Sequence, residues 1–597
     1  MTKLKNFSAA ALFALAVFMM TIPATRTEAQ GSGVVIAPGF EMNIFADPAS
    51  VPLFGGAYTG PGAMTFDSRG RLFVATLGGK ILILLDNDDN GAVDEVKTFA
   101  TGIPLPLGLE FHANGDLYVT SNIVGGAGRV LRLRDTNGDD AADETDVIID
   151  NLPSDGQHQT NKLKFGKDGL LYIGQGSSSN HGVPEGGYPG DRPLNSKILR
   201  VDTDNPAVEV FASGLRNPFG LGIHPENGAI FATDAGSGDV GENPVEDTSP
   251  VEEVNWIVQG GNYGFPLCEG TPDVSNPDCA GVRRGLIEFL PHTTPTAIQF
   301  YTGPQSEDFL NQMLVTLFVR YRGQGGDLRR FTLAGDVTNG FEVIESAQLV
   351  DFGYREEDDG PVDIAIDPVT GDIYVSRVDL TPAHTPANRR NYVYRIHRAG
   401  SDSRPFIGTP SPSSIEAGST QTITVTGRHF KPGATIFADG APMVTRQGAG
   451  PFELQADLFA PQSYQPSRVV GAIQIEVRNA DGLRSNIKTI SVTSAEEDTS
   501  PRLTSLAVIK KKNGRVVASI EAGSKGKKYR LVVNGERFSE GAQLFFNGAA
   551  MQVVESSATR IVGAFTNSML ASAGEFLVEA RNSDGKVSNA LRLTIAP

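Results

Sequence analysis

Basic charge, long apolar runs and cysteine are all scarce in this chain of 597 residues, and each scarcity removes a class of explanation. Lys and Arg number 51 against 69 Asp and Glu, a formal net charge of −18. Residues 1–29 carry Lys3, Lys5, Arg26 and a single acid, Glu28, so the remainder stands at −20. A whole-chain excess of that size argues against nucleic acid, or any polyanion, as a partner. Beyond residue 22 no segment approaches the roughly 20 apolar residues that cross a bilayer. Helical-period segments are too few for an α/β barrel. The two cysteines, Cys268 and Cys279, lie in PLCEGTPDVSNPDCAG. They predict one disulfide closing that loop, with two free thiols as the alternative.

The one apolar run stands at the start. MTKLKNFSAAALFALAVFMMTIPATRTEAQ places Lys3 and Lys5 ahead of Phe7 to Ile22, with small residues at Ala24 and Ala29. This pattern is a secretory signal peptide over residues 1–29, cut after Ala29 or Ala24, and predicts a secreted protein, periplasmic or extracellular.

What the chain does have is repetition. A hairpin with period-2 patterning and a turn ending in Gly recurs six times: AMTFDSRGRLFVAT, LGLEFHANGDLYVTS, NKLKFGKDGLLYIGQ, FGLGIHPENGAIFATD, TAIQFYTG with MLVTLFVRYRG, and VDIAIDPVTGDIYVSR. Third strands such as KILILLD, SKILRVD and YVYRIHR follow most of them. Antiparallel units repeating at roughly 45–60 residues are propeller blades, so residues 30–400 read as a six-bladed β-propeller. IEAGSTQTITVTGRHF from Ile415 is then echoed by IEAGSKGKKYRLVVNGERF from Ile520, and IEVRNADGLRSN by VEARNSDGKVSN. Residues 405–493 and 501–597 are thus two immunoglobulin-like β-sandwiches, resembling IPT/TIG domains, with no catalytic constellation. The fold class is all-β.

In a blade, the loop before the first strand and the end of the second share one face of the propeller. That face collects Pro104, Pro106, His158, Arg216, Asn217, His292, Asp358 and Asp359 from the first set. From the second come Thr76, Thr120 to Asn122, Gln175 to Asn180, Asp234, Asp239, Arg320, Arg322 and Arg377. Such convergence suits a ligand site. Taken alone, however, a loop histidine is commonly an idle surface residue.

GQHQTNKLKFGKDGLLYIGQGSSSN, GLRNPFGLGIHPENGAIFATDAG and VEEVNWIVQGGNYGFP, in that order, resemble the glucose/sorbosone dehydrogenase family. These soluble quinoproteins bind pyrroloquinoline quinone (PQQ) with calcium. The resemblance covers the propeller, most clearly residues 150–380, and implies a sugar dehydrogenase. His158 would be the general base, a role that suits an imidazole neutral at pH 7. Arg216 would polarise the quinone carbonyl and orient substrate, with Asn217 and Gln175 beside the cofactor. It implies calcium on the backbone carbonyls of Gly236 and Ser237, with Asp234 and Asp239 as nearby acids. PQQ carries three carboxylates, which on charge alone makes Arg320, Arg322 and Arg377 its anchors. The chain departs from the soluble glucose enzymes near Ser177, where they carry an acidic residue supporting the base, and at PLPLGL before the second blade.

Two further loops, DNDDNGAVDE and DTNGDDAADE, place oxygens at alternate positions: Asp86, Asp88, Asn90 and Asp94, then Asp135, Asn137, Asp139 and Asp143. They resemble the start of an EF-hand loop without its distal Glu, and are candidate calcium loops or plain Asx turns. The expected partners are a small sugar, an electron acceptor of unspecified kind, and a surface, polysaccharide or protein bound by the sandwiches. The competing readings are a non-catalytic binding propeller and a calcium-dependent lactonase-like hydrolase.

Overall fold

A computed structural model describes residues 27–28, 34–56, 58–123, 125–238, 250–270, 275–304, 307–319, 325–353, 359–381, 384–385, 388–401, 404–450, 452–461, 471–493 and 500–597. The rest of the predicted leader lies outside the described residues, as do Asp239, Arg320, Arg322 and Asp358. No described helix is long and apolar enough to cross a membrane.

Six antiparallel sheets follow one another from Pro61–Phe66 to Tyr392–Arg398, each starting from an innermost strand and stepping outward. The short apolar runs of the sequence are second strands. Leu72–Thr76, Leu171–Gln175, Ile230–Asp234 and Met313–Leu317 are buried at every position, because a blade is covered on both faces by its neighbours. The outer strand Glu95–Thr101, facing water, is mostly exposed.

Side-chain alternation then serves two blade junctions from one strand. Phe73 packs toward the second blade with Leu109 and Leu117, while Leu72 and Val74 pack toward the sixth with Phe45 and Tyr374. Tyr172 joins Leu221 and Ile230 of the fourth blade, and Leu171 and Ile173 join Val130 of the second. The ring is closed by an N-terminal strand, Phe40–Ala46, which pairs with Tyr392–Arg398 as the outer strand of the sixth blade. Val35–Ile36 extends the fifth blade in the same way, and Thr27–Glu28 adds to it. Innermost strands line the channel, where Lys162 pairs with Asp363 and Lys164 with Glu110.

The first sandwich pairs Phe406–Ile407, Thr420–Arg428, Glu453–Phe459 and Arg446–Gln447 in one sheet. Its other sheet runs Ser414–Glu416, Lys488–Thr493, Ala472–Arg478, Thr435–Ala438 and Ala441–Pro442. The second sandwich repeats both orders, with one added edge strand, Val516–Val517, paired to Arg502–Lys510. Contacts place the propeller and first sandwich in one compact unit, and the second sandwich in another.

Candidate functional site

The register Thr160↔Gln175 aligns the start of the third blade's first strand with the end of its second. Backbone pairing continues past both ends, Gly176 N–H donating to Gln159 O (3.0 Å) and His158 N–H to Ser177 O (3.2 Å). His158 is thereby held opposite Ser177, at the propeller mouth. The close approach requires glycine at 176, since a Cβ there would stand 2.4 Å from His158 Cβ.

His158 Nδ1 lies 2.9 Å from Ser177 Oγ and 3.3 Å from Ser177 O. The Ser177 hydroxyl donates its one proton to Ser179 O at 2.7 Å, so toward the imidazole it only accepts. The carbonyl, too, can only accept. Both contacts therefore put the proton on Nδ1 and leave the Nε2 lone pair as the basic atom. Burial, and then the charge of Arg216, push the imidazole down to about 3, so it is neutral throughout the physiological range.

Arg216 enters from the loop before the fourth blade, whose backbone is joined to the third by Ser177 N–H donating to Arg216 O (2.7 Å). Its guanidinium donates to Asn180 O (2.9 Å), Asn180 Oδ1 (2.6 Å) and Ala235 O (3.0 Å). Three of its five N–H groups are so engaged among the described residues. Desolvation lowers its pKa, opposed by Glu269, Asp234, Glu252 and Glu185. Asn217 Oδ1 accepts from Asn161 Nδ2 (2.9 Å).

Around this arginine stand three carboxylates that hold backbone amides, Asp234 and Glu252 buried and Glu269 half-buried. Asp234 accepts from the N–H of Asn217 (2.7 Å) and of Arg216 (3.1 Å). Glu252 accepts from Gly236 and His292 N–H, and Glu269 from Ser237 N–H (2.7 Å). Burial pushes Asp234 up to about 7 and Glu252 to about 8. These amide contacts fix the loop Gly236–Ser237. Among the described residues neither of its two carbonyl oxygens accepts a hydrogen bond. Hard oxygens beside undercompensated carboxylates form a donor set that fits calcium. For a tricarboxylate, the described mouth offers Arg216.

Other predicted residues fall elsewhere. Arg377 is not free to anchor a cofactor: it forms a buried fork with Asp359 (both 2.6 Å) and donates to Tyr394 Oη (3.0 Å). Gln175 is a strut, bonded to Thr160 Oγ1 (2.8 Å) and Pro153 O (2.7 Å). His181, next along the chain from Asn180, pairs with Glu185, Nδ1 to Oε2 at 2.8 Å. Of the two aspartate-rich loops, the first brings Asp86, Asp88 and Asp94 together, their ligand atoms within 4.8 Å of one another. Asn90 accepts from Ala92 N–H, and Asp86, Asp88 and Asp94 also accept backbone amides of the loop. In the second loop, Asp135, Asn137, Asp139 and Asp143 all bond to amides or side chains of the loop itself, the Asx-turn alternative. Cys268 and Cys279 are joined as expected, with Cα atoms 5.6 Å apart.

A family model described as a domain of unknown function (DUF7133) matches residues 27–256. A PQQ-dependent sugar dehydrogenase of Hypocrea jecorina is 28% identical over 304 residues, covering 43% of this chain and 70% of its own. The quinoprotein glucose dehydrogenase B of Acinetobacter calcoaceticus is 29% identical over 154 residues, 21% of this chain and 30% of that one. Both of these relatives are quinone-dependent sugar dehydrogenases by name. Among solved structures, the PQQ domain of a Coprinopsis cinerea pyranose dehydrogenase aligns with a TM-score of 0.47 at 16% identity, over 62% of this chain and 97% of that one.

Sequence reasoning missed one part of the site and named another without its role. Glu252 and Glu269 were hidden because each acts on a backbone amide from a distant segment. Asn180, which accepts from Arg216 and Gly238 N–H and donates to Gly238 O, ties the third blade to the fourth. Only its place at the end of a second strand marked it.

Proposed function

We propose that the protein is an exported, PQQ- and calcium-dependent dehydrogenase of aldoses or related sugars. The observation that carries this reading is His158, its Nδ1 held by two acceptors and its Nε2 without a hydrogen-bond partner among the described residues, beside the partly engaged Arg216. The similarity to PQQ-dependent sugar dehydrogenases supports it.

Gly236 and Ser237 carbonyls would hold calcium, with Asp234 and Asp239 nearby. Arg216, Asn217, Arg320 and Arg322 would hold the quinone. When bound, PQQ supplies the two-electron acceptor of the oxidation. His158 Nε2 takes the sugar hydroxyl proton, a transfer worth about 10²–10⁴-fold in rate. The unspent N–H groups of Arg216 orient the oxygen from which that proton leaves. Asn180 and Ala235 O keep the guanidinium from swinging away.

The test is reconstitution of the mature protein with PQQ and calcium, followed by an aldose panel with His158→Ala alongside. Stoichiometric quinone uptake and sugar-dependent quinone reduction, lost in the variant, are expected. Absence of PQQ binding at micromolar concentrations would sink the proposal.

A further inference from the structure

The strongly negative net charge conceals a reversal of sign. Residues 500–597 carry fourteen Lys and Arg against seven Asp and Glu, a net of +7, while residues 30–499 stand at −27. Much of the excess lies in VIKKKNGR and GSKGKKYR, and the fold brings these two runs together. The first is the tip of the hairpin made by Arg502–Lys510 and Val516–Val517. The second forms the 3-10 turn Gly526–Lys528 and the start of the neighbouring strand. Ile509 pairs with Arg530 and Lys510 with Tyr529, and Lys511 N–H donates to Lys528 O at 2.8 Å.

Lys510, Lys511, Lys512, Arg515, Lys525, Lys527 and Lys528 are all exposed. No ion pair engages any of them among the described residues, whereas Arg560 and Arg592 in the same sandwich are paired with Glu555 and Glu575. Seven adjacent cations without counter-charge raise the local potential and repel one another, a cost with no structural return.

The sister module supplies the internal comparison. From Pro405 to Ser419 the first sandwich uses 15 residues, whereas the equivalent stretch from Pro501 to Ser524 takes 24. The additional residues build the hairpin that bears the first basic run. A second insertion follows: Ser419 to Phe430 is 12 residues, but Ser524 to Phe538 is 15, and it contains Lys525, Lys527 and Lys528. Two insertions at one end of one copy, both basic, mark a surface that the shared fold does not need.

The chemistry of the surrounding surface narrows the partner. The exposed large apolar residues of this sandwich are Val516, Val554, Leu577 and Val587, none of them aromatic. Exposed rings for stacking nucleobases are therefore missing, and no apolar band accompanies the lysines for insertion into a bilayer. Lysine ammonium groups on flexible stems suit anions repeated along a hydrated chain better than one fixed phosphate. We propose that this end of the second sandwich binds an anionic polysaccharide, its carboxylate or sulfate groups distributed over the seven cations. The site is independent of the dehydrogenase reading, and its test does not require turnover.

The full mature chain would be passed over immobilised alginate, a polyuronate, and over neutral dextran, with elution by a salt gradient. Retention on alginate that falls steeply with salt, and none on dextran, is expected. The variant K511E/K512E/K527E should bind at least about tenfold more weakly at 150 mM salt, and K511R/K527R should bind as the parent does. Circular dichroism would check the fold of both. Equal retention on dextran, or by the charge-reversed variant, would overturn the proposal. So would capture by duplex DNA or phosphatidylserine vesicles without capture by alginate. Failure to bind any of these polymers would leave the lysines as guards of an exposed sheet edge, and would equally overturn it.

Discussion

The hydroxyl of Ser177 does what a carboxylate would do differently. A carboxylate beside Nδ1 would orient the imidazole but also stabilise its cation, whereas a neutral hydroxyl orients it and leaves it uncharged. Ser177→Asp should therefore raise the His158 pKa against the opposing charge of Arg216. The acid limb of the kcat/KM profile should move upward by roughly one to three pH units, measured on the reconstituted enzyme. The same linkage acts on stability. Because the folded imidazole titrates below its ordinary value of 6.5, near about 3, the unfolded chain binds the extra proton between those values. Stability drawn from this group is thus lost as pH falls through that window. Wild type should lose more stability than His158→Asn between pH 6.5 and 4, read as the difference between two denaturant series. His158 itself was legible from its motif. Its tautomer was not, because that depends on the Ser177 carbonyl facing Nδ1 and on the Ser177 hydroxyl spending its proton on Ser179 O, neither of which the sequence places.

At the scale of the element, the blades were legible because every blade repeats one code: a buried second strand, a Gly turn and alternating faces. The closing strand was not. FEMNIFA shows little alternation, and its partner Tyr392–Arg398 lies some 350 residues away, so nothing local announces the pairing. Yet this strand carries Phe45, 4% exposed and set edge-on against Tyr374 at 5.1 Å, in the cluster joining the sixth blade to the first. Phe45→Ala should cost about 3–5 kcal/mol, more than a typical surface change in any outer strand, because it opens a cavity where the strand that completes the sixth blade packs on the first. A shift in the urea midpoint with unchanged slope would verify it. A shift below about 1 kcal/mol would show that Phe40–Ala46 is not needed to close the ring.

For the whole molecule, composition averages what position separates. Net charge averages a basic second sandwich with an acidic remainder, and sequence repeats suggested two equivalent sandwiches where the contacts make them unequal. The first belongs to the propeller's unit. Arg428 donates to Gly70 O in a first-blade turn (3.0 Å), and the His429 amide donates to Asp89, whose carboxylate also faces the imidazole at 3.7 Å. These groups line a small polar cavity with Asp86, Asp367, Asp372 and Arg395, where Arg395 is itself held by Asp372 at 2.6 Å. A buried polar seam of this kind is unforgiving, since removing one partner strands the other without water. Calorimetry of the mature chain should accordingly show two transitions, a large one for the propeller with the first sandwich and a small one for the second sandwich. Asp89→Ala, which removes the carboxylate facing both the amide and the imidazole of His429, should destabilise the large transition by about 1–3 kcal/mol and leave the small one where it was. A separate third transition, or a matched fall in both, would mean that the first sandwich does not unfold with the propeller through this seam.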